Sequence, residues 1–164
     1  DTAAATIAAG LAKLGLIESP TALYDCAERG ERTCPQYTLY YMHGLGHGIG
    51  LDVHDPDQYD ESRIAPGSAF TIEPGVYVRA NLLEILPNTS RNRSLIAKIR
   101  PAVERFANIG VRIEDDYIAT ESGVEWVSRA PREIAEIEQT MKNKMAIKRD
   151  PTKIGWYRTT APKE

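Results

Sequence analysis

The chain has 164 residues, of which 42% are hydrophobic and 26% are charged, and it carries a net charge of −3. A chain of this length is typical of about one domain with a real hydrophobic core, and its composition is that of an ordinary soluble protein. The charge is too small to indicate a protein that binds nucleic acid. No apolar run approaches the ~18 residues that a membrane-spanning helix needs.

The first predicted elements precede residue 43. Apolar residues recur at helical spacing from Ile7 to Leu14 in an Ala-rich stretch, which predicts an amphipathic helix that ends near Gly15. Residues 19–37 are rich in turn formers and have no sustained period, so an irregular excursion is expected there. An apolar segment, residues 37–42, follows it.

The rest of the chain mixes strand and helix patterns. Three segments have the pattern of strands: residues 70–78, which are interrupted at Pro74-Gly75, then 109–119 and 124–127. Residues 95–107 have helical spacing, but Pro101 is expected to break them into two short helices. A closing helix begins near Ile134, after Pro131. No internal repeat is present.

The sequence says little about the compartment. Cys26 and Cys34 fit neither a disulfide scaffold nor a CxxC site, so a disulfide between them and two free thiols are equally consistent with the sequence. The N-terminus lacks the basic region of a signal peptide, which favours a cytoplasmic location. Because the chain also lacks an initiator Met, a targeting segment could belong to an upstream part that is missing.

All three histidines fall within one glycine-rich segment, HGLGHGIGLDVH. They are His43, His47 and His54, and every second residue from 44 to 50 is glycine, which lets other groups approach the backbone closely. A lone histidine is more often a hydrogen-bonded core residue, but such clustering favours a functional site. Imidazole is both a metal ligand and a proton shuttle near neutral pH, so the cluster could bind a metal, move protons, or do both.

Two glutamates stand in apolar surroundings. Glu73 lies in AFTIEPGVYV and Glu114 in GVRIEDDYIA. On a strand, Arg112 shares a face with Glu114 and is expected to contact its carboxylate, either as support for a site or as a structural ion pair. One histidine and two carboxylates brought together would suit Mn or Co as well as Zn.

The motifs HGLGHGIGLDVHD, TIEPGVY and VRIEDD, in this order, resemble the C-terminal motifs of metallopeptidases with the pita-bread fold, in particular Xaa-Pro aminopeptidases and prolidases. The resemblance covers roughly residues 5–141. It implies an α+β fold in which helices pack on the outer face of a curved antiparallel sheet. Residues 1–141 are then the C-terminal part of a catalytic domain, and residues 142–164 are a basic tail, expected to be a solvated extension rather than a nucleic-acid binder.

The resemblance also implies roles for particular residues. It assigns metal binding to His47, Glu73 and Glu114; catalysis to His43, His54 and Glu73; and support of the last glutamate to Arg112. The implied cofactor is a pair of divalent ions, with Mn expected first and Co or Zn as alternatives. Glu73 would also carry a proton, and the two catalytic histidines would donate to the reacting carbonyl oxygen.

One departure from the family pattern concerns the metal ligands. The family binds its ions with two further Asp from an upstream motif, and no such motif is present. The nearby acids, Asp52, Asp55, Asp57 and Asp60, follow the histidine cluster, and the last three are interpreted as a polar loop. The chain alone is therefore expected to be inactive.

The resulting hypothesis is an incomplete Xaa-Pro aminopeptidase domain, which in the whole protein hydrolyses the peptide bond before proline. Its expected partners are peptides with proline at the second position and, in the full-length protein, further copies of itself, with no nucleic acid or membrane. Prolidase is the enzymatic alternative. A non-catalytic pita-bread module that binds peptides is the alternative from another class.

Overall fold

The computed structural model describes residues 2–55, 64–128 and 130–142. The predicted loop acids Asp57 and Asp60 lie outside these residues, as does the predicted basic tail apart from Lys142. The chain divides into two compact units, Asp1–Ser128 and Arg129–Glu164. The expected boundary at residue 141 stays a prediction. Among the described residues, no helix combines the length and the apolarity that a bilayer span requires.

The N-terminal helix ends where the sequence predicts. Helix α1 spans Thr2–Lys13 and buries Leu11. Gly15 then adopts a φ of +74°, and the N–H of Leu16 donates to the carbonyl of Leu11 at 3.0 Å. This is the usual closure of a helix by a glycine in the left-handed region.

The turn-rich excursion is a two-stranded hairpin. Strands β1, Leu23–Asp25, and β2, Thr33–Pro35, pair antiparallel. Cys26 and Cys34 form a disulfide across it, which selects one of the two alternatives that the sequence left open. Disulfides persist chiefly in oxidising compartments, so this bond is unusual for the expected cytoplasmic location. That location stays a prediction.

The prediction of two short helices around Pro101 is wrong. One helix, α2, runs from Ser90 to Phe106, and Pro101 is exposed inside it. An internal proline costs ~3 kcal/mol. The buried stripe of Leu95, Ile99 and Val103 continues past the proline, and each such side chain contributes roughly 1.5–3 kcal/mol on burial. Burial of this face therefore outweighs the local cost.

The predicted α+β fold is confirmed, and the strand pairs in the described part of the chain are antiparallel. The strands are β3 (Ala69–Ile72), β4 (Gly75–Tyr77), β5 (Gly110–Arg112), β6 (Asp115–Thr120) and β7 (Gly123–Trp126). Strands β3, β6 and β7 form one ladder, in which β6 is central, and β4 pairs with β5. The apolar core lies between α1, α2 and the end of β4, around the fully buried Tyr40 and Leu82. The second compact unit contains helix α3, Ile134–Lys142, which is the predicted closing helix.

The two long strand segments break at the same level. Ile72 lies opposite Asp115 and Gly75 lies opposite Arg112, so the register is the same on both sides of the break. The interruption at Pro74-Gly75 was predicted. The matching interruption after Arg112 was not, and it leaves Glu73 and Glu114 facing each other across the gap.

The glycine-rich segment lies along the free edge of β3. The N–H of Ile49 donates to the carbonyl of Ala69 at 2.9 Å, and the N–H of Glu73 donates to the carbonyl of Leu45 at 2.7 Å. Residues 45–49 therefore extend the sheet by one irregular antiparallel segment, which carries His47 to β3.

A buried amide connects α2 to the disulfide hairpin. The side-chain NH2 of Asn92 donates to the carbonyls of Asp25 and Pro87, both at 2.8 Å, and its oxygen accepts the N–H of Asp25 at 3.0 Å. Asn92 has no exposed surface. The two hydrogen bonds with Asp25 are therefore shielded from water, and the one to Pro87 is partly buried.

Replacing Asn92 with Asp is expected to destabilise the chain by about 2–4 kcal/mol, because a buried carboxylate would face the carbonyls of Asp25 and Pro87, both of which would have lost their donor. Urea unfolding of the 164-residue chain measures the change. Asn88→Asp is the matched control, since Asn88 is exposed and its oxygen accepts from Arg93. A loss below about 1 kcal/mol in Asn92→Asp would contradict the structural role given to this amide.

Candidate metal centre

Three side chains that are far apart in the sequence meet at the break in the sheet. His47 Nε2 lies 3.3 Å from Glu73 Oε1 and 3.9 Å from Glu114 Oε1. One donor atom from each residue lies within 4.8 Å of the other two. The sequence-predicted ligand set is thus brought together in one place.

The local fold explains this convergence. Glu73 and Glu114 face each other where both strand segments are interrupted, and His47 lies on the segment that pairs with β3 on its other side. Glu73 is buried, whereas the Glu114 side chain is 45% exposed. The site therefore lies at the protein surface, with Glu73 on its buried side and Glu114 on its exposed side.

The hydrogen bonding of His47 fits a metal ligand. Its Nδ1 lies 2.9 Å from the carbonyl oxygen of Gly48, which can only accept, so Nδ1 carries the proton and Nε2 presents a lone pair. That lone pair faces two carboxylate oxygens. Such an arrangement is unfavourable unless a cation lies between the three groups or Nε2 binds a proton, and the donor set suits a divalent cation.

The predicted contact between Arg112 and Glu114 is replaced by one to Glu73. Arg112 Nη1 lies 3.4 Å from Glu73 Oε2, and its Nε donates to the Tyr77 hydroxyl at 2.7 Å. The residue directly across the ladder is Gly75. The guanidinium thus reaches across the strand pair to Glu73, which follows β3, and to Tyr77 of β4.

The other two histidines line a cavity of about 300 Å³ beside the three donors. The cavity wall is formed by His43, Gly44, Gly46, His47, His54, Glu73 and Arg112. The ring of the exposed His54 lies against that of His47, with centroids 4.4 Å apart. The residues to which the resemblance assigned roles thus lie at this cavity, except Glu114, which lies against His47.

The side chain of His43 is part of a hydrogen-bonded chain. Its Nδ1 lies 2.7 Å from the carbonyl oxygen of Gly44, so this nitrogen carries the proton. Its Nε2 lies 3.3 Å from the Tyr77 hydroxyl, which itself accepts from Arg112. In this arrangement Nε2 of the neutral ring accepts the hydrogen bond of the Tyr77 hydroxyl, and it can donate to another group only if it binds a proton of its own.

Sequence reasoning missed three polar neighbours of the site: Thr71, Tyr77 and Tyr41. Strand alternation places Thr71 and Tyr77 on the face of Glu73, and this signal was available in the motif. Tyr41 lies edge-on to the ring of His43 at 5.0 Å between centroids. Burial, followed by the negative charge of Glu73, raises the pKa of Tyr41.

The predicted loop acids do not join the donor group within the described part of the chain. Asp55 accepts the N–H of Asp52 at 3.3 Å, and its backbone pairs with Gly48. Among the described residues, the side chains that could hold a metal there are those of His47, Glu73 and Glu114. The interpretation of Asp55 as a loop residue stays a prediction.

Gly46 provides a test of how residues 45–49 are held against β3. A Cβ at this position would collide with the backbone carbonyl of Thr71, so Gly46→Ala is expected to lift the segment from β3 and to weaken metal binding by about 10-fold or more, as loss of ligand support does. Isothermal titration with Mn²⁺ measures this. Gly44→Ala is the control, since its Cβ would make only an ordinary 3.8 Å contact. Equal Mn²⁺ affinities in Gly46→Ala and Gly44→Ala would refute the requirement for glycine at position 46.

This fold and donor set define a metallopeptidase-like centre, and comparison with known proteins identifies the family. The model of metallopeptidase family M24 matches residues 4–121. That match covers well over half of the chain, so the chain belongs to metallopeptidase family M24.

Individual relatives agree with this assignment. The chain is 40% identical over 109 residues to an Xaa-Pro aminopeptidase of Haemophilus influenzae, a match covering 64% of the chain and 21% of the relative. It is 36% identical over 121 residues to the Xaa-Pro dipeptidase of Homo sapiens, covering 63% of the chain and 24% of that protein. The chain thus spans less than a quarter of the length of these curated relatives.

A solved structure agrees as well. Zinc-substituted Escherichia coli aminopeptidase P in complex with product matches 85% of the chain and 27% of its own, with a TM-score of 0.56 and 31% identity. The predicted pita-bread architecture is therefore confirmed.

Proposed function

We propose that this chain is the metal-binding C-terminal part of the catalytic domain of an Xaa-Pro aminopeptidase, which hydrolyses the peptide bond before proline. The observation that carries the proposal is the convergence of His47 Nε2 with the carboxylates of Glu73 and Glu114. The retention of all three donors also argues against a non-catalytic peptide-binding module.

The three donors would hold divalent metal. Imidazole nitrogen and carboxylate oxygen suit Mn, Co or Zn, and Mn is the expected ion. Bound metal would polarise the scissile carbonyl and lower the pKa of water, so that hydroxide forms near neutral pH. A second ion needs further carboxylates, which we place in a part of the protein outside this chain.

The remaining roles fall to residues around the cavity. Glu73 would accept the proton of the attacking water and pass it to the leaving nitrogen of proline. The ion pair from Arg112 to its other oxygen, Oε2, would hold the carboxylate in place. His54 would donate to the carbonyl oxygen, and His43 would do so in its imidazolium form, since its Nδ1 proton is engaged by Gly44.

Prolidase is the alternative, because the relatives include an Xaa-Pro dipeptidase. The two activities differ in substrate length. We expect the longer protein that contains this chain to accept peptides with proline at the second position and further residues after it. We also propose that it assembles as a homo-oligomer.

The test is hydrolysis of Ala-Pro-Ala and Ala-Pro by the longer protein, after removal of metal and again after addition of Mn²⁺. Metal-dependent cleavage of the tripeptide Ala-Pro-Ala supports the aminopeptidase. Cleavage of the dipeptide alone would assign a prolidase, and no cleavage with bound Mn²⁺ would overturn the enzymatic proposal.

A further inference from the structure

We propose that Thr71 is a positioning residue of the metal centre, whose hydroxyl connects the backbone of His47 to the carboxylate of Glu73. The inference rests on the proposed function, since it takes these two residues as metal ligands. One buried hydroxyl would then fix the distance and the orientation between His47 and Glu73, which come from different segments of the chain.

The geometry supplies both hydrogen bonds. Thr71 is 4% exposed, and its Oγ1 accepts the N–H of His47 at 3.0 Å. The same hydroxyl lies 3.4 Å from Glu73 Oε1 and 3.5 Å from the carbonyl oxygen of His47. It has one proton to donate.

The proton is best placed toward the carboxylate. The carbonyl of His47 already accepts the backbone N–H of Thr71 at 2.8 Å. A hydrogen bond to an ionised carboxylate is stronger than one to a neutral carbonyl. The hydroxyl therefore accepts from one ligand and donates to the other.

This contact departs from regular pairing. Opposed residues of a hydrogen-bonded antiparallel pair exchange two backbone hydrogen bonds. Here Thr71 donates its N–H to His47, but the return bond from the N–H of His47 goes to the Thr71 hydroxyl. The side chain thus replaces a ladder bond at the residue that carries the metal-binding imidazole.

The test compares Thr71→Val with Thr71→Ser in the longer protein that contains this chain. Valine keeps the branched shape without the hydroxyl, whereas serine keeps the hydroxyl. We expect the Mn²⁺ dissociation constant, measured by titration, to rise about 10–100-fold in Thr71→Val, and serine to restore it to within about 3-fold. Thr120→Val is the matched control, because the hydroxyl of the exposed Thr120 donates to Gly123 in the β6–β7 turn.

Further measurements separate positioning from folding. The Co²⁺-loaded visible spectrum is expected to change in Thr71→Val and to return in Thr71→Ser. Because the N–H of His47 loses its acceptor in Thr71→Val, the Tm of that metal-free protein is expected to fall, and all spectra are recorded well below the lowest Tm so that unfolding does not contribute. Thr71→Ala is a second substitution that removes the hydroxyl. It must also weaken Mn²⁺ binding, and it provides this test even if Thr71→Val does not fold. Wild-type affinity in Thr71→Ala, or equally weak affinity in Thr71→Ser and Thr71→Ala, overturns the proposal.

Glu114→Gln distinguishes this proposal from the one on which it rests. If the metal centre is formed by the three donors, Glu114→Gln weakens Mn²⁺ binding whatever the effect at Thr71. Unchanged binding in Glu114→Gln overturns the proposed metal centre, whereas unchanged binding in Thr71→Ala alone overturns only the role of the hydroxyl.

Discussion

Glu73→Gln is expected to lower kcat/KM for Xaa-Pro hydrolysis by about 10³-fold or more in the longer protein that contains this chain, because it removes a metal ligand and the proton carrier together. Glutamine keeps the size of the side chain, so the loss would reflect charge and proton transfer. Steady-state kinetics on Ala-Pro-Ala with Mn²⁺ measures it.

A matched control comes from the same sheet. Glu121 lies in the exposed turn between β6 and β7, and Glu121→Gln is expected to leave kcat/KM within about 2-fold, since surface substitutions away from a site change little. Glu73→Gln activity within 10-fold of the unsubstituted protein would remove both roles assigned to Glu73.

The second large effect concerns the extent of the chain. The isolated 164 residues are expected to bind less than one equivalent of Mn²⁺ at micromolar protein and to show negligible Xaa-Pro cleavage. Three donors can hold one ion weakly, but two ions close together repel each other, and further carboxylates are needed to offset that repulsion. Extending the chain upstream should restore both properties.

Metal analysis and hydrolysis assays on both proteins measure this effect. The extended protein with Glu114→Ala serves as the control that has the added segment but lacks one donor of this chain. Full activity of the isolated chain would instead show that local acids such as Asp52 or Asp55 complete the centre.

The elements that the sequence predicted well are those in which local pattern and tertiary packing agree. Helix α1 ends at Lys13, just before Gly15 adopts the left-handed conformation that glycine tolerates, and the first long strand breaks at Pro74, which has no N–H to donate. The break opposite, between Arg112 and Asp115, has no glycine or proline to mark it. It follows from pairing with the interrupted strand, which the sequence does not display.

The same distinction holds for the site. The motifs predicted that His47, Glu73 and Glu114 form one group. They did not predict that Arg112 reaches Glu73, because that contact depends on how the two interrupted strands pair. The link through Thr71 also stayed hidden, since its hydrogen-bond partner lies 24 residues away on another segment. Pro101 shows the reverse error, in which a local rule was given more weight than a buried helix face.

The proposed metal centre requires that His47, Glu73 and Glu114 bind a divalent ion. Anomalous diffraction from crystals of the longer protein grown with Mn²⁺, recorded at the manganese absorption edge, locates that ion. We expect a peak at coordination distance from His47 Nε2 and from a carboxylate oxygen of both glutamates, roughly 2.0–2.2 Å. Manganese bound elsewhere, with these three side chains left without an ion at saturating Mn²⁺, would refute the metal centre.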